Sequence, residues 1–200
     1  MGRGFTLTKI ERPDGPRMSS AKDLEDVPVD PCDSGDGAAE ESLSHVRVDG
    51  EGRSHSVMVD VGGKPVTGRT AQARALVDFP PGLLAGILES GGPKGPIEEV
   101  ARVAGILAAK RTGDLIPMCH PVGLDVVEID FARIGPDRLE IRCKTACSGR
   151  TGVEMEAMTG ASIAALTVYD MTKALAKGIR VVAVELLEKT GGKHGSWSRE

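Results

Sequence analysis

The sequence predicts an α+β fold in which helices pack on one face of an antiparallel sheet. Apolar and polar residues alternate along 70–79, which is the period of a strand with one buried face. Residues 97–112 and 153–177 instead repeat apolar residues at helical spacing. A Gly-Pro-Asp turn at 135–137 joins two further alternating runs and predicts a β-hairpin. Strands and helices are therefore mixed along one chain.

The first half of the chain after residue 43 predicts two strands and two helices. The run SVMVDV at 56–61 predicts a short strand, and the strand over 70–79 ends at a Pro-Pro pair. The second proline also suits the first turn of a helix over 82–89. After a Gly/Pro loop, the helix over 97–112 has acidic residues in its first turn and basic residues in its last, which favours the helix dipole.

The second half predicts a hairpin, a long helix and a final strand. The hairpin strands are 124–131 and 138–146, the helix runs over 153–177 and ends at Gly178, and a β-branched strand follows over 179–187. The order after a leading short strand is β-α-α-β-β-α-β. This order is the split βαβ, or ferredoxin-like, arrangement of helices on an antiparallel sheet.

The long helix is apolar on two sides in helical projection. One side, expected to face the sheet, carries Ala164, Val168, Met171 and Leu175. The other side combines aliphatic residues with a carboxylate and an amine: Ile163, Leu166, Asp170 and Lys173. Because a helix with two apolar sides is buried on both, we expect the second side to contact another subunit.

Composition and charge exclude several classes of protein. The 200 residues are 40% hydrophobic and 27% charged, which allows one domain with a buried core. With 2% aromatic residues and a net charge of −4, the chain lacks the stacking platforms and positive excess of a dedicated nucleic-acid binder. There is no apolar run of the roughly 18 residues that a membrane span needs, and no signal-peptide core, so we expect a soluble, cytoplasmic protein.

The first 43 residues differ in composition from the rest. They contain 5 Lys+Arg against 10 Asp+Glu and have hardly any apolar periodicity. We therefore predict a disordered N-terminal extension over 1–43, a folded domain over 44–196 and a C-terminal tail over 197–200.

The four cysteines are predicted to be reduced thiols. Cys32, Cys119, Cys143 and Cys147 form no C-x-x-C pair, so a zinc site is disfavoured. Cys143 and Cys147 lie four residues apart in a strand and are expected to pack on one face.

Polar groups suited to acid/base chemistry on an anion are concentrated in three blocks. These are DLIPMCHP at 114–121, TGVEMEAMT at 151–159 and VYDMTK at 168–173, and they point to an enzyme. His120 is either a hydrogen-bonded loop residue or an acid/base group held between two prolines. Asp170 and Lys173 form either a surface ion pair or a functional pair among aliphatic side chains.

The remaining candidates also have two interpretations each. Glu154 and Glu156 either favour the dipole of the long helix or serve one site, in which case the segment must depart from helical geometry. Lys94 in its Gly/Pro loop is a turn residue or an anion ligand. The same choice holds for Lys189 and Lys193, which flank Thr-Gly-Gly.

A metal site is the rival interpretation of the same residues. Its ligands would be Cys119, His120, Glu154 and Glu156, but their spacing is unlike that of zinc sites. The chain also lacks a P-loop, a dinucleotide-binding glycine motif and HExxH.

Five segments together form a specific pattern: KRT at 110–112, DLIPMCHP at 114–121, TGVEMEA at 151–157, YDMxK at 169–173 and KxGGK at 189–193. This pattern closely resembles the MoaC family, the cyclic pyranopterin monophosphate synthases of molybdenum cofactor biosynthesis. The resemblance covers about residues 44–196.

The resemblance implies a lyase built from ferredoxin-like subunits. The subunits would form a homohexamer, a trimer of dimers, with active sites at subunit interfaces. The implied reaction converts 3′,8-cyclo-7,8-dihydroguanosine 5′-triphosphate to cyclic pyranopterin monophosphate and releases pyrophosphate, without metal or organic cofactor. No nucleic acid or membrane partner is expected.

The resemblance also implies roles for individual residues. The catalytic residues would be Asp170, Lys173 and Lys94. The substrate-binding residues would be Met118, Cys119, His120, Met155 and Glu156, with less defined site roles for Glu154, Asp60 and Lys189. A non-catalytic assembly subunit and a metal-dependent phosphohydrolase are the alternatives; the intact candidate residues argue against the first, and the ligand spacing against the second.

Overall fold

The computed structural model describes residues 45–193 and 195–200, and the extension predicted for 1–43 lies outside them. The described residues form, in order, β1 Val46–Val48, β2 Ser54–Ser56, β3 Thr67–Asp78, α1 Leu83–Ser90, α2 Ile97–Ala109, α3 Thr112–Leu115, β4 Val126–Arg133, β5 Arg138–Gly149, α4 Glu154–Thr172, β6 Arg180–Thr190 and β7 Trp197–Ser198. None of the helices described is long and apolar enough to cross a membrane.

Five strands form one antiparallel sheet in the order β4-β5-β3-β6-β7. Strand β3 lies at its centre and pairs with β5 on one side and β6 on the other. The connections from β3 through helices to β4, and from β5 through α4 to β6, are the two split βαβ units. The predicted α+β, ferredoxin-like fold is confirmed.

The helices pack on one face of this sheet. That face of β3 carries Ala71, Ala73, Ala75 and Val77, each at most 1% exposed, as the alternating pattern predicts. Cys143 and Cys147 of β5 are also buried in this core. Both are buried and form no disulfide within the described residues, which confirms the prediction that they are reduced packing residues.

The other face of the sheet is polar and carries ion pairs. Arg74 of β3 contacts Glu185 of β6 at 2.7 Å and Glu140 of β5 at 3.5 Å. Glu140 in turn pairs with Arg142 at 2.8 Å. Charged side chains therefore occupy the face without helices.

Helix α4 packs on the sheet and also against α2. Ala164, Val168 and Met171 are buried, as predicted for the sheet-facing side. Leu175 is an exception: α4 ends at Thr172, and Leu175 lies in the following turn with 46% exposure. On the second predicted side, Leu166 is 53% exposed.

The N-terminal strand prediction was wrong in its position. The strand ends at Ser56, and 57–61 continue without joining either sheet. Ser54–Ser56 instead pairs with β1, a partner that the pattern did not predict. The valines of 57–61 alternate because two of them line a cavity, which imitates the period of a strand. At the other end of the chain, residues predicted as a tail include β7, which pairs with β6.

Candidate active site

A cavity of about 320 Å³ lies at the N-terminal end of α4. The predicted substrate-binding residues line it together with Glu154: Met118, Cys119, His120, Met155 and Glu156. The N-terminal arm, which we define as residues 45–66, also lines the cavity. The arm contributes His45, Val59, Val61 and Lys64.

The two glutamates of the cavity have different environments. Glu156 is 3% exposed, and burial, with a smaller effect of the Glu154 charge, raises its pKa. Glu154 Oε1 lies 3.5 Å from Lys189 Nζ. A side chain at position 152 would overlap the Glu154 carboxylate, so Gly152 makes room for it. Both glutamates line one cavity although α4 is helical from Glu154, so the irregular geometry that we expected for a shared site is absent from this segment.

His120 and Cys119 are held in defined chemical forms. His120 Nε2 lies 2.7 Å from the Val59 carbonyl oxygen. Because a carbonyl can only accept, Nε2 carries the proton of this bond. Burial, together with the charge of Glu156, raises the pKa of the Cys119 thiol. Cys119 therefore favours the neutral thiol form.

A cationic cleft of about 230 Å³ adjoins this cavity and shares Lys64, Thr151, Gly152 and Glu154 with it. Five basic residues line the cleft: Lys64, Arg69, Arg150, Lys189 and Lys193. Glu154 is the one acidic residue among those lining it in the described chain. Such an excess of positive charge suits a phosphorylated ligand.

Backbone contacts hold the arginines of the cleft. Arg150 Nε donates to the Lys64 carbonyl at 3.1 Å, and Arg69 Nε donates to the Gly149 carbonyl at 3.4 Å. Gly192 has a φ of 80°, and a Cβ there would overlap the Arg69 guanidinium. Glycine at 192 is therefore needed both for the backbone conformation and for the position of Arg69.

Sequence reasoning missed Lys64, Arg69 and Arg150. Lys64 follows two glycines and precedes a proline. A similar Gly/Pro loop made Lys94 a candidate anion ligand, so the same signal could have identified Lys64. Arg69 and Arg150 lie near the paired ends of β3 and β5, and no local pattern marks them. Their convergence depends on strand register, which becomes visible only in the fold.

A second cluster lies near the C-terminal end of α4. Asp170 Oδ1 accepts from Lys173 Nζ at 2.6 Å, and Oδ2 accepts from Lys94 Nζ at 2.7 Å. The hydrogen bonds from Lys173 and then Lys94 lower the pKa of Asp170 to about 2, and the Asp170 carboxylate raises the pKa of Lys173. Lys94 reaches the cluster from the loop between α1 and α2, where Gly92 and Gly95 form an isolated antiparallel bridge.

The two groups of predicted residues are far apart within one chain. Glu156 and Asp170 are 14 residues apart on α4, a distance of about 21 Å at the rise of an α-helix. Asp60 lines neither the cavity nor the cationic cleft. Its Oδ1 accepts a hydrogen bond from Gly62 N at 2.7 Å. The site residues are thus divided between the two ends of one helix, and Asp60 lies in a turn of the arm.

The rival metal site has no support in the geometry of the described chain. In residues 45–193 and 195–200, no three side chains of His, Cys, Asp or Glu lie together in a way that could hold an ion.

Comparison with known proteins identifies the family. The MoaC family model matches residues 58–192. A cyclic pyranopterin monophosphate synthase of Novosphingobium aromaticivorans is 50% identical over 155 residues, which are 78% of this chain and 96% of that protein. Cyclic pyranopterin monophosphate synthase 1 of Mycobacterium tuberculosis is 48% identical over 158 residues, 79% of this chain and 91% of the relative. A relative in Chloroflexus aggregans with the same function in its name is 48% identical over 164 residues, covering 80% and 95%. The resemblance seen in the sequence is confirmed, and the chain belongs to the MoaC family.

Proposed function

We propose that this chain converts 3′,8-cyclo-7,8-dihydroguanosine 5′-triphosphate to cyclic pyranopterin monophosphate and releases pyrophosphate, as a lyase of molybdenum cofactor biosynthesis. The names of its relatives support this activity. The observation that carries it is the junction of a five-cation cleft with a cavity that holds two carboxylates. A purine-derived triphosphate needs both parts side by side.

The cleft is the proposed binding site of the triphosphate. Lys64, Arg69, Arg150, Lys189 and Lys193 supply charge-assisted hydrogen bonds to phosphate oxygens and stabilise the departing pyrophosphate. In the adjoining cavity, Glu154 and Glu156 accept hydrogen bonds from N–H groups of the guanine-derived ring. Met118 and Met155 provide apolar contact for that ring.

The cluster of Asp170, Lys173 and Lys94 is the proposed proton-transfer centre. Because the pKa of Asp170 is about 2, this residue stays a carboxylate at neutral pH and cannot be the proton donor. The donor is a lysine ammonium, which Asp170 holds in place. Ring opening and closure move protons on and off ring nitrogens, and such a positioned acid serves that chemistry.

The complete site is proposed to combine two chains. Because about 21 Å of α4 separates Glu156 from Asp170, one substrate cannot contact both residues in the same chain. We propose that the Asp170 end of one subunit meets the cavity of its partner, within a homohexamer built as a trimer of dimers. The half-exposed cluster and the exposed Leu166 on the same helix are the surface available for this contact.

Two further expectations accompany the proposal. We expect no metal or organic cofactor in the reaction. We also propose that the enzyme acts in the cytoplasm, since Cys119, Cys143 and Cys147 are free thiols, as is usual in a reducing compartment.

The test is turnover of the cyclised dihydro-GTP substrate by the purified full chain in the presence of EDTA. Pyrophosphate and the pterin product, oxidised to its fluorescent form, are measured together. Product formation with the chelator present is the expected result. Substrate binding without product would indicate a non-catalytic subunit, and the absence of binding would contradict the proposed substrate.

A further inference from the structure

The N-terminal arm brings a second imidazole to the substrate cavity. His45, just before β1, lines the cavity together with His120, Cys119 and Glu156. Neither the resemblance nor the sequence pattern assigned it a role. His55, the other histidine of the β1–β2 hairpin, lines neither the cavity nor the cleft.

Backbone hydrogen bonds fix the position of His45 relative to His120. The His45 carbonyl accepts from Val57 N at 2.9 Å, which closes the hairpin at the point where the arm turns toward the cavity. Two residues later, the Val59 carbonyl accepts from His120 Nε2 at 2.7 Å. His45 is thus linked to the predicted substrate-binding loop through three residues of one extended segment.

Apart from Lys64 and the Thr151 hydroxyl, which the cavity shares with the cationic cleft, the other polar side chains of the cavity offer few hydrogen-bond donors. Glu154 and Glu156 can only accept when ionised, and Cys119 is a weak donor. His120 already uses Nε2 on Val59. In the described part of the chain, the His45 side chain is exposed and forms no hydrogen bond or ion pair, so a ring N–H is available to a ligand.

We propose that His45 is a further substrate-binding residue, which donates an N–H hydrogen bond to an acceptor atom of the purine-derived ring. This inference rests on the proposed function. The ring of such a substrate presents oxygen and nitrogen acceptors as well as N–H donors. The carboxylates can bind the N–H donors of the substrate ring and His45 can bind one of its acceptors, so the cavity can bind both kinds of group.

Substitution at the two hairpin histidines tests the proposal. His45→Phe keeps a ring but removes the donor, so KM for the cyclised substrate should rise about tenfold. Turnover at saturation should change less than about threefold, because binding and not proton transfer is affected. His45→Gln keeps an N–H donor and should restore most of the affinity, whereas the matched control His55→Phe should behave as the unmodified chain.

Several outcomes would overturn the inference. An unchanged KM in His45→Phe would show that His45 donates no such hydrogen bond to the substrate. A loss of turnover with unchanged KM, or failure of His45→Gln to recover affinity, would assign His45 a different role. Thermal unfolding of each variant shows whether the fold is kept.

A binding measurement separates this inference from the proposed function. If the unmodified chain does not turn over the cyclised substrate, that result contradicts the proposed function and not the role of His45. To test His45 independently of turnover, the full chain with ¹⁵N-labelled histidine is titrated with GTP as a purine triphosphate probe. The His45 ring signals should shift and those of His55 should not; an unmoved His45 signal contradicts the proposal.

Discussion

Asp170 receives one lysine ammonium on each of its carboxylate oxygens. The i, i+3 spacing on a helix predicts contact with Lys173, and the sequence left open whether the pair is a surface ion pair or a functional one. The contact with Lys94 was not predictable from spacing, because 76 residues separate the two partners. A single surface ion pair needs no third member, so the added lysine favours the functional interpretation.

The variant Asp170→Asn should lose turnover by about 100-fold or more, the lower range for loss of a positioned acid/base system. Its thermal midpoint should stay close to that of the unmodified chain, because the three side chains are about half exposed and such pairs contribute little to stability. The measurement is turnover together with thermal unfolding. Glu99→Gln, which removes an exposed pair with Arg102, serves as the control. Unfolding of Asp170→Asn at the assay temperature would instead indicate a structural ion pair.

The raised pKa of Glu156 predicts that the stability of the fold depends on pH. Burial raises its folded-state pKa above the ordinary 4.5, so between these two values the native state binds more protons than the unfolded state. Stability therefore falls as pH rises through this window. From pH about 4.5 to about 8, the unmodified chain should lose more thermal stability than Glu156→Gln. Glu99→Gln should keep the original slope, and equal slopes for all three proteins would contradict a destabilising charge at Glu156.

At the scale of elements, the contact between α2 and α4 depends on glycine. A Cβ at Gly160 would lie 2.6 Å from Cys143 Sγ and 3.3 Å from the Gly105 carbonyl. These distances leave no room for a methyl group, so the two helices and β5 approach more closely than larger residues allow. With few aromatic residues available, the core gains density from such close approach.

Gly160→Ala should therefore destabilise the fold by about 1–3 kcal/mol, the usual cost of overpacking a core. The free energy of unfolding in urea measures it. Gly86→Ala is the matched control, since a Cβ at Gly86 meets nothing within 4 Å; the control should be neutral or slightly stabilising. A Gly160→Ala variant as stable as the control would show that the core relaxes around the methyl group.

The elements differ in how far the sequence could predict them. β3 was predictable because buried and polar residues alternate along it, and α2 because apolar residues at helical spacing follow acidic residues suited to a first turn. The basic residues predicted for the last turn of α2 lie beyond it, because the helix ends at Ala109. The arm was not, because Val59 and Val61 alternate to line a cavity and not to pair in the sheet. Periodicity reports which residues are buried, but not what buries them.

At the scale of the whole molecule, the candidate site is only partly local in sequence. Met118, Cys119 and His120 are adjacent, as are Met155 and Glu156, so each block could be recognised from the chain. The cationic cleft gathers residues from 64 to 193, and its arginines converge only once β3 and β5 are paired. Such convergence depends on long-range register and has no local pattern.

Complementation tests the division of the site between chains. If the proposed division is right, Asp170→Asn and Glu156→Gln should each inactivate a different half of the site, and hybrid assemblies of the two should regain some intact sites. Random mixing within dimers predicts about a quarter of the original activity. The two variants are unfolded, refolded together and assayed, with each variant refolded alone as the control. No recovery in assemblies shown to be mixed would place both halves in one chain's site.

The 19 residues of α4 set the spacing between the two half-sites that each chain is proposed to contribute. One inserted residue would move Asp170 about 1.5 Å along the axis and rotate it by about 100° relative to Glu156. A substitution on α4 leaves this spacing unchanged, whereas a change in the number of its residues does not. Natural MoaC sequences should therefore exclude insertions and deletions between Glu154 and Thr172.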